Sequence, residues 1–124
     1  MTIVTEKLTI LTTGSNGSAV GETLSSPITG VILAVKVNYD ATAPATTDFT
    51  GVEQGGLEQT VVTLANNATD ITVYPVPAAT TNAGVATGGY LSGYFIGGSR
   101  VLFSITGCNA LTAAAVVTVQ WQSL

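Results

Sequence analysis

The side chains capable of acid–base chemistry are few in this chain of 124 residues, which has seven Asp and Glu residues, three Lys and Arg residues and no histidine. Without histidine, the Ser-His-Asp and Cys-His arrangements of nucleophilic catalysis cannot be assembled. Histidine or clustered thiolate ligands for zinc are also missing. Two carboxylates could act together as in a glycosidase, but no motif brings any two of the seven together. We therefore predict that the protein is not an enzyme and has no catalytic residue, metal or cofactor.

Two of the acids, Asp40 and Asp48, bracket a stretch of small residues in "VNYDATAPATTDFT". Paired carboxylates can hold calcium, but this separation matches no known calcium loop. Aspartate is also favoured in turns, where its side chain accepts hydrogen bonds from nearby backbone N–H groups. We predict that the two aspartates cap the ends of a loop over 41–47, which joins a strand over 31–39 to a return partner that contains Phe49. We expect this loop to contact a neighbouring subunit.

Aromatic side chains in "GYLSGYFIGG" (89–98) suggest a second kind of site. In one extended strand, Tyr90 and Tyr94 would share a face and Phe95 would lie opposite. Tyrosine favours interfaces because it has an apolar ring and a polar tip. Together with Arg100, the two tyrosines are the candidate interface residues. The same two rings could instead stack on sugars, or could be half-buried residues of a sheet.

Composition limits the partners that this chain can bind. Charged residues make up 8% of it and its net charge is −4, whereas about 25% of residues are charged in a typical domain. Three scattered cations cannot displace the counterions of a nucleic acid, so we exclude direct nucleic-acid binding. An uncharged surface rich in threonine is unusual for a free monomer, and we therefore predict a homo-oligomer.

Membrane insertion and secretion are not indicated by the sequence. The longest apolar runs fall well short of the roughly 20 residues that span a bilayer. The N-terminal residues lack the basic start and apolar core of a signal peptide. Cys108 is the only cysteine, which excludes an internal disulfide, and we expect it to pack as a small hydrophobic side chain near a strand end. We predict a protein made in the cytoplasm that contacts no membrane.

The dominant hydrophobic period is two, which is typical of β-strands. Val101, Phe103 and Ile105 share one face of a strand, and Arg100, Ser104 and Thr106 share the other. The same period places Ala115, Val117, Val119 and Trp121 on one face of a second strand, and it recurs over 31–39, where the even-numbered face is half apolar. Asn16-Gly17 is a strong hairpin signal and predicts a turn between strands at about 3–12 and 18–25. We interpret 75–89, rich in Pro and Gly, as a soft connection that is not a central strand.

These segments predict the fold class. About eight short antiparallel strands separated by turns are typical of a two-sheet sandwich or a barrel. No internal repeat and no second domain is evident. We predict a single all-β domain over 1–124, a jelly-roll-like β-sandwich.

Two runs, "SSPITGVILAVKVNYDATAPATTDFT" and "SRVLFSITGCNALTAAAVVTVQW", resemble small β-rich virion proteins of tailed bacteriophages. Those proteins have an apolar strand ending in a Tyr-Asp-like pair, a small-residue loop with Pro, and Thr-Thr-Asp before a second strand. They close with an Arg-Val strand, another small-residue loop and a final Val-rich strand. The corresponding residues here are Tyr39-Asp40, Pro44, Thr46-Thr47-Asp48 and Arg100-Val101. The resemblance covers about half of the chain and lies in the order of these segments.

The resemblance implies a structural role. Capsid decoration (cement) proteins are frequent among small single-domain phage β-proteins, and they often bind as trimers at local three-fold positions of the shell. It thus implies a homotrimer that binds the major capsid protein on the outer capsid surface of the virion and stabilises the shell. The alternatives are a tail or head–tail component, or a spike or carbohydrate-binding module for host attachment.

Overall fold

A computed structural model describes residues 2–124, which form eleven β-strands and, over that range, no helix. β-branched residues are frequent in the long strands, because such side chains pack well on a pleated, half-buried surface. The prediction of an all-β fold is confirmed. The strands are Ile3–Ile10 (β1), Ala19–Leu24 (β2), Thr29–Tyr39 (β3), Asp48–Gln54 (β4), Thr60–Leu64 (β5), Ile71–Val73 (β6), Ala78–Thr80 (β7), Ala86–Tyr90 (β8), Tyr94–Gly97 (β9), Arg100–Cys108 (β10) and Ala115–Ser123 (β11).

Two antiparallel sheets form the frame of the protein. The first has the order β1-β11-β3-β6, with β9 beside the other half of β3, and the second has the order β2-β10-β4-β5. The pairing is nested, because β1 pairs with β11, β2 with β10, β3 with β6 and β4 with β5. Residues of both sheets contribute to one hydrophobic core, so the frame is a β-sandwich.

Two short strands, β7 and β8, were not predicted, and β9 is the C-terminal part of the strand that was expected over 89–98. The eight strands of the nested pairing agree with the prediction of about eight, whereas β7 and β8 lie almost wholly in the segment interpreted as a soft connection. β7 and β8 pair only with each other, which agrees with the expectation that 75–89 is not a central strand. The segment nevertheless forms a hairpin, in which Ala78 pairs with Tyr90 and Thr80 pairs with Ala86.

The turn at Asn16-Gly17 lies where it was predicted, but it does not close a hairpin. β1 and β2 belong to different sheets, and an isolated antiparallel bridge joins Thr13, which follows β1, to Val20 of β2. The backbone N–H of Gly17 instead donates to the carbonyl oxygen of Cys108 at 2.9 Å. The turn therefore carries the chain from one sheet to the other, and the hairpin prediction is wrong.

The strand that contains Phe49 is not the return partner of β3. β4 pairs with β10 and β5 in the second sheet, whereas β3 lies in the first sheet. The loop between them therefore crosses the sandwich. Tyr39 of β3 and Phe49 of β4 both face the core. They do so from opposite sides, because the two strands lie in different sheets.

A bulge in β3 explains why both faces of this strand are rich in apolar residues. Ala34 pairs with Gln120 and Ile32 pairs with Trp121, so Leu33 has no partner in the ladder. An extra residue reverses which side chains face inward. Val35 and Val37 are buried on one side of the bulge, and Ile32 is buried on the other.

The predicted inward faces of the two C-terminal strands are confirmed. Val101, Phe103 and Ile105 are buried along β10, and Cys108 is buried at its end. The rings of Phe103 and Phe49 stack with centroids 5.9 Å apart. In β11, the buried residues are Ala115, Val117, Val119 and Trp121.

Candidate interaction surface

A hairpin projects from the sandwich between β6 and β9, and we call residues 74–91 the arm. β7 and β8 form its two strands and have no ladder with either main sheet. The backbone N–H of Leu91 donates to the carbonyl oxygen of Pro77 at 2.9 Å and closes its base. At its tip, the Thr81 side-chain oxygen accepts hydrogen bonds from the backbone N–H groups of Ala83 and Val85. Every residue from 80 to 92 is exposed.

The arm carries exposed apolar side chains and no charge. No Asp, Glu, Lys or Arg occurs anywhere in residues 71–99. Tyr74 is 73% exposed and Tyr90 is 71% exposed. A concentration of exposed apolar side chains without charge is characteristic of an interaction site. The other large apolar side chains exposed on the arm are Val76, Val85 and Leu91.

An isolated two-stranded hairpin is marginally stable in water. The arm buries little surface, and both of its strands have one unpaired edge. Unpaired edges can accept a further strand from another chain. A partner that covers the arm would therefore order it and bury its apolar side chains together.

The structure separates the predicted tyrosine pair. Tyr90 ends β8 and lies opposite Ala78 in the arm, whereas Tyr94 begins β9 and lies opposite Ile32 in the first sheet. Residues 91–93 interrupt the strand between them, so the prediction that the two rings share one face of one strand is wrong. Tyr90 is exposed, and Tyr94 is half-buried against the core.

Arg100, the third candidate interface residue, lies at the start of β10 in the second sheet. It pairs with Gln54, and its guanidinium Nη1 donates to the carbonyl oxygen of Ser25 at 3.2 Å. The sequence reasoning missed the exposed Tyr74, Val85 and Leu91. The absence of charge over 71–99 was the signal that could have identified the arm.

Three aspartates each accept a hydrogen bond from a backbone N–H group. Asp40 Oδ1 accepts hydrogen bonds from the Thr42 hydroxyl at 2.6 Å and from the Thr42 backbone N–H at 2.8 Å. These two bonds lower the pKa of Asp40 because they stabilise its ionised form. Asp48 instead accepts from the backbone N–H of Asn66, so it caps a different loop from the one predicted. Asp70 accepts from the backbone N–H of Tyr39 at 2.8 Å.

The aspartates do not form a common site. Within residues 2–124, no group of three or more His, Cys, Asp or Glu side chains lies close enough to hold a metal ion.

Over the same range, no helix is long and apolar enough to cross a membrane. No protein-family model, curated protein or solved structure matches the chain.

Alkaline pH is expected to destabilise the fold through Tyr39. Burial raises the pKa of its hydroxyl above the ordinary value of 10.0, the hydrogen bond from Asn67 opposes this shift, and the charge of Asp70 adds to it. A raised pKa in the folded state means that the unfolded chain releases this proton first, so stability is present below pH 10 and falls as the pH rises towards the folded pKa. The slope for one proton is at most about 1.4 kcal/mol per pH unit.

Urea unfolding of the wild type and of Tyr39→Phe between pH 8 and pH 11 tests this expectation. The difference between the two unfolding free energies should be constant up to about pH 10 and should change only above it. A difference that stays constant over the whole range would contradict the role of Tyr39.

Proposed function

We propose that this protein is a non-enzymatic structural protein of a bacteriophage virion, which binds the outer surface of the assembled capsid as a homotrimer and stabilises the shell. The observation that carries the proposal is the uncharged, exposed arm on a compact sandwich frame. A frame with a projecting apolar hairpin suits a protein that acts by being buried against its neighbours.

The order of the frame strands supports a jelly roll. The eight strands of the nested pairing divide into two sheets of four. The first of these strands pairs with the last, the second with the second to last, and so on to the pair β4 and β5. Such a chain is equivalent to one long hairpin that is wrapped into a sandwich. Jelly rolls of two four-stranded sheets are common in viral capsid proteins, which agrees with the resemblance of the sequence to phage virion proteins.

We assign the arm to contacts with further copies of this chain. The net charge of −4 makes two copies repel each other, and an uncharged surface is where they can approach at least electrostatic cost. The unpaired edges of β7 and β8 offer backbone hydrogen-bonding groups in addition to the apolar side chains. Copies joined in this way would present several identical surfaces to the shell.

Shell stabilisation follows from mass action. A protein that binds the assembled capsid protein and has no affinity for its dissociated form shifts the equilibrium towards the assembled particle. Neither a reacting group nor a bound cofactor is required for this effect. The major capsid protein is accordingly the second partner of the proposal.

Antibody labelling of virions tests the proposed position. Gold-labelled antibody against this protein should decorate the heads of intact particles in negative-stain micrographs. Labelling confined to tails would replace the capsid assignment with a tail or head–tail component. Particles without any label would remove the virion assignment altogether.

Exposed aromatic rings favour a carbohydrate-binding module as the second candidate. Tyr74 and Tyr90 lie open to solvent on the arm, and such rings can stack on sugar faces as well as on protein. Binding on a glycan array that is lost in Tyr90→Ala would favour this candidate. A flat array with the wild-type protein would exclude it for the glycans present.

A further inference from the structure

A pocket of about 230 Å³ opens where the turn after β4 meets β9, at the seam between the two sheets. The Gln59 side-chain amide donates to the carbonyl oxygen of Phe95 at 3.1 Å and joins the two sides of the seam. The volume lies below the range of about 300–1,000 Å³ usual for small-molecule sites, so the pocket suits a single side chain. Its lining includes Glu53, Gly56, Leu57, Gln59, Phe95 and Ser99.

The lining contains a buried carboxylate. Glu53 is 3% exposed and faces inward from the end of β4. Its Oε1 accepts long hydrogen bonds from Gln59, at 3.2 Å from the side-chain amide and at 3.4 Å from the backbone N–H. A Cβ atom added at Gly56 would lie 2.8 Å from Glu53 Oε2, so the glycine leaves the space beside this second oxygen open.

Among the residues that the structure describes, no cation neutralises Glu53. Within residues 2–124, the donor to its carboxylate is Gln59, which is neutral. Arg100 directs its guanidinium to the carbonyl oxygen of Ser25. Lys7 and Lys36 are exposed on strands of the other sheet. A buried carboxylate with weak hydrogen bonds gains most from a cation that also donates hydrogen bonds.

The mouth of the pocket is apolar. Leu57 is 82% exposed and Phe95 is 51% exposed, and the pocket lies between them and Glu53. This combination matches an arginine side chain, whose aliphatic stem covers apolar surface, whose guanidinium stacks on an aromatic ring, and whose fork of N–H groups pairs with a carboxylate.

We propose that this pocket binds an arginine side chain of a different protein. The guanidinium donates to the two carboxylate oxygens of Glu53, the stem packs on Leu57, and the ring of Phe95 lies against the guanidinium face. The pocket shares no residue with the arm, and its occupant does not depend on which particle the protein belongs to. The inference therefore goes beyond the proposed function.

Titration with N-acetyl-arginine methylamide, followed by ¹H–¹⁵N NMR, tests the pocket, with the matching citrulline compound as the neutral isostere. The arginine probe should give saturable shifts of the amides of Gly56, Gln59 and Ser99, whereas the citrulline compound should give none. Absence of saturable shifts, or equal shifts with the two compounds, would overturn the proposal. Saturable shifts with methyl glucoside but none with the arginine probe would assign the pocket to a sugar and would also overturn it.

Variants connect the binding to the buried charge. Glu53→Gln should weaken binding of the arginine probe by about tenfold or more, because a charge-assisted hydrogen bond is roughly twice as strong as a neutral one. Glu58→Gln, an exposed carboxylate on the same turn, is the matched control and should leave the affinity unchanged. Phe95→Leu keeps the charge, removes the ring and should weaken binding several-fold. It tests the pocket independently if Glu53→Gln fails to fold. Unchanged affinity in Glu53→Gln, or in Phe95→Leu, would contradict the assignment.

Discussion

Phe103→Ala is expected to lower the free energy of unfolding by about 3–5 kcal/mol, the largest effect of any single substitution that we predict. Phe103 is completely buried and its ring stacks on Phe49. It also lies directly opposite Gly51 in the ladder between β10 and β4. A Cβ atom at Gly51 would lie 2.9 Å from Cε1 of Phe103, so the ring occupies the space that the glycine leaves free. Neither neighbour can extend into the cavity that alanine would leave.

Urea unfolding at low protein concentration measures this loss, and Tyr90→Ala is the matched control. Tyr90 is equally aromatic but exposed on the arm, and its truncation should change the unfolding free energy of the dissociated chain by less than about 0.5 kcal/mol. A loss below about 2 kcal/mol for Phe103→Ala, or equal losses for the two variants, would show that the core is not organised around this ring.

The second prediction concerns the arm. The triple variant Tyr74→Ser, Tyr90→Ser and Leu91→Ser should remain folded but lose self-association. Hot-spot side chains, which are often tyrosines near the centre of an interface, cost about 2 kcal/mol or more each when truncated. Because about 1.4 kcal/mol corresponds to a tenfold change in affinity, we expect the association constant to fall more than a hundred-fold.

Sedimentation equilibrium at tens of micromolar compares this variant with the wild type. The wild type should sediment as an oligomer and the arm variant as a monomer with an unchanged urea midpoint in dilute solution. The control is a triple variant on the frame, Ile3→Ser, Leu11→Ser and Leu24→Ser, which removes the same number of large exposed apolar side chains and should still associate. A monomeric wild type would refute the predicted self-association, whereas dissociation of the control alone would move the interface from the arm to the frame.

The sequence contains a stronger indication of the candidate surface than the tyrosine pair. The aromatic pair Tyr90 and Tyr94 indicated a surface at 89–98, and one of the two residues, Tyr90, lies on the arm. The length of the uncharged segment, 71–99, is the better indicator, because a long run without charge on a surface requires a partner to cover it. The pocket at Glu53 had no local signal, since its walls come from separate strands and a turn.

Local pattern by itself determined the fold class, the inward faces of β10 and β11 and the burial of Cys108, because alternation along a strand depends only on nearby residues. The tertiary structure alone decided which strands pair. β1 lies beside β11, at the opposite end of the chain. β2 was expected to pair with β1 and β4 with β3, but β2 and β4 both lie in the other sheet. Pairing between distant segments depends on how the whole core is filled from both sides, and no short window of sequence contains that information. The same long-range closure brings Glu53 and Phe95 together at the seam and leaves the arm outside it.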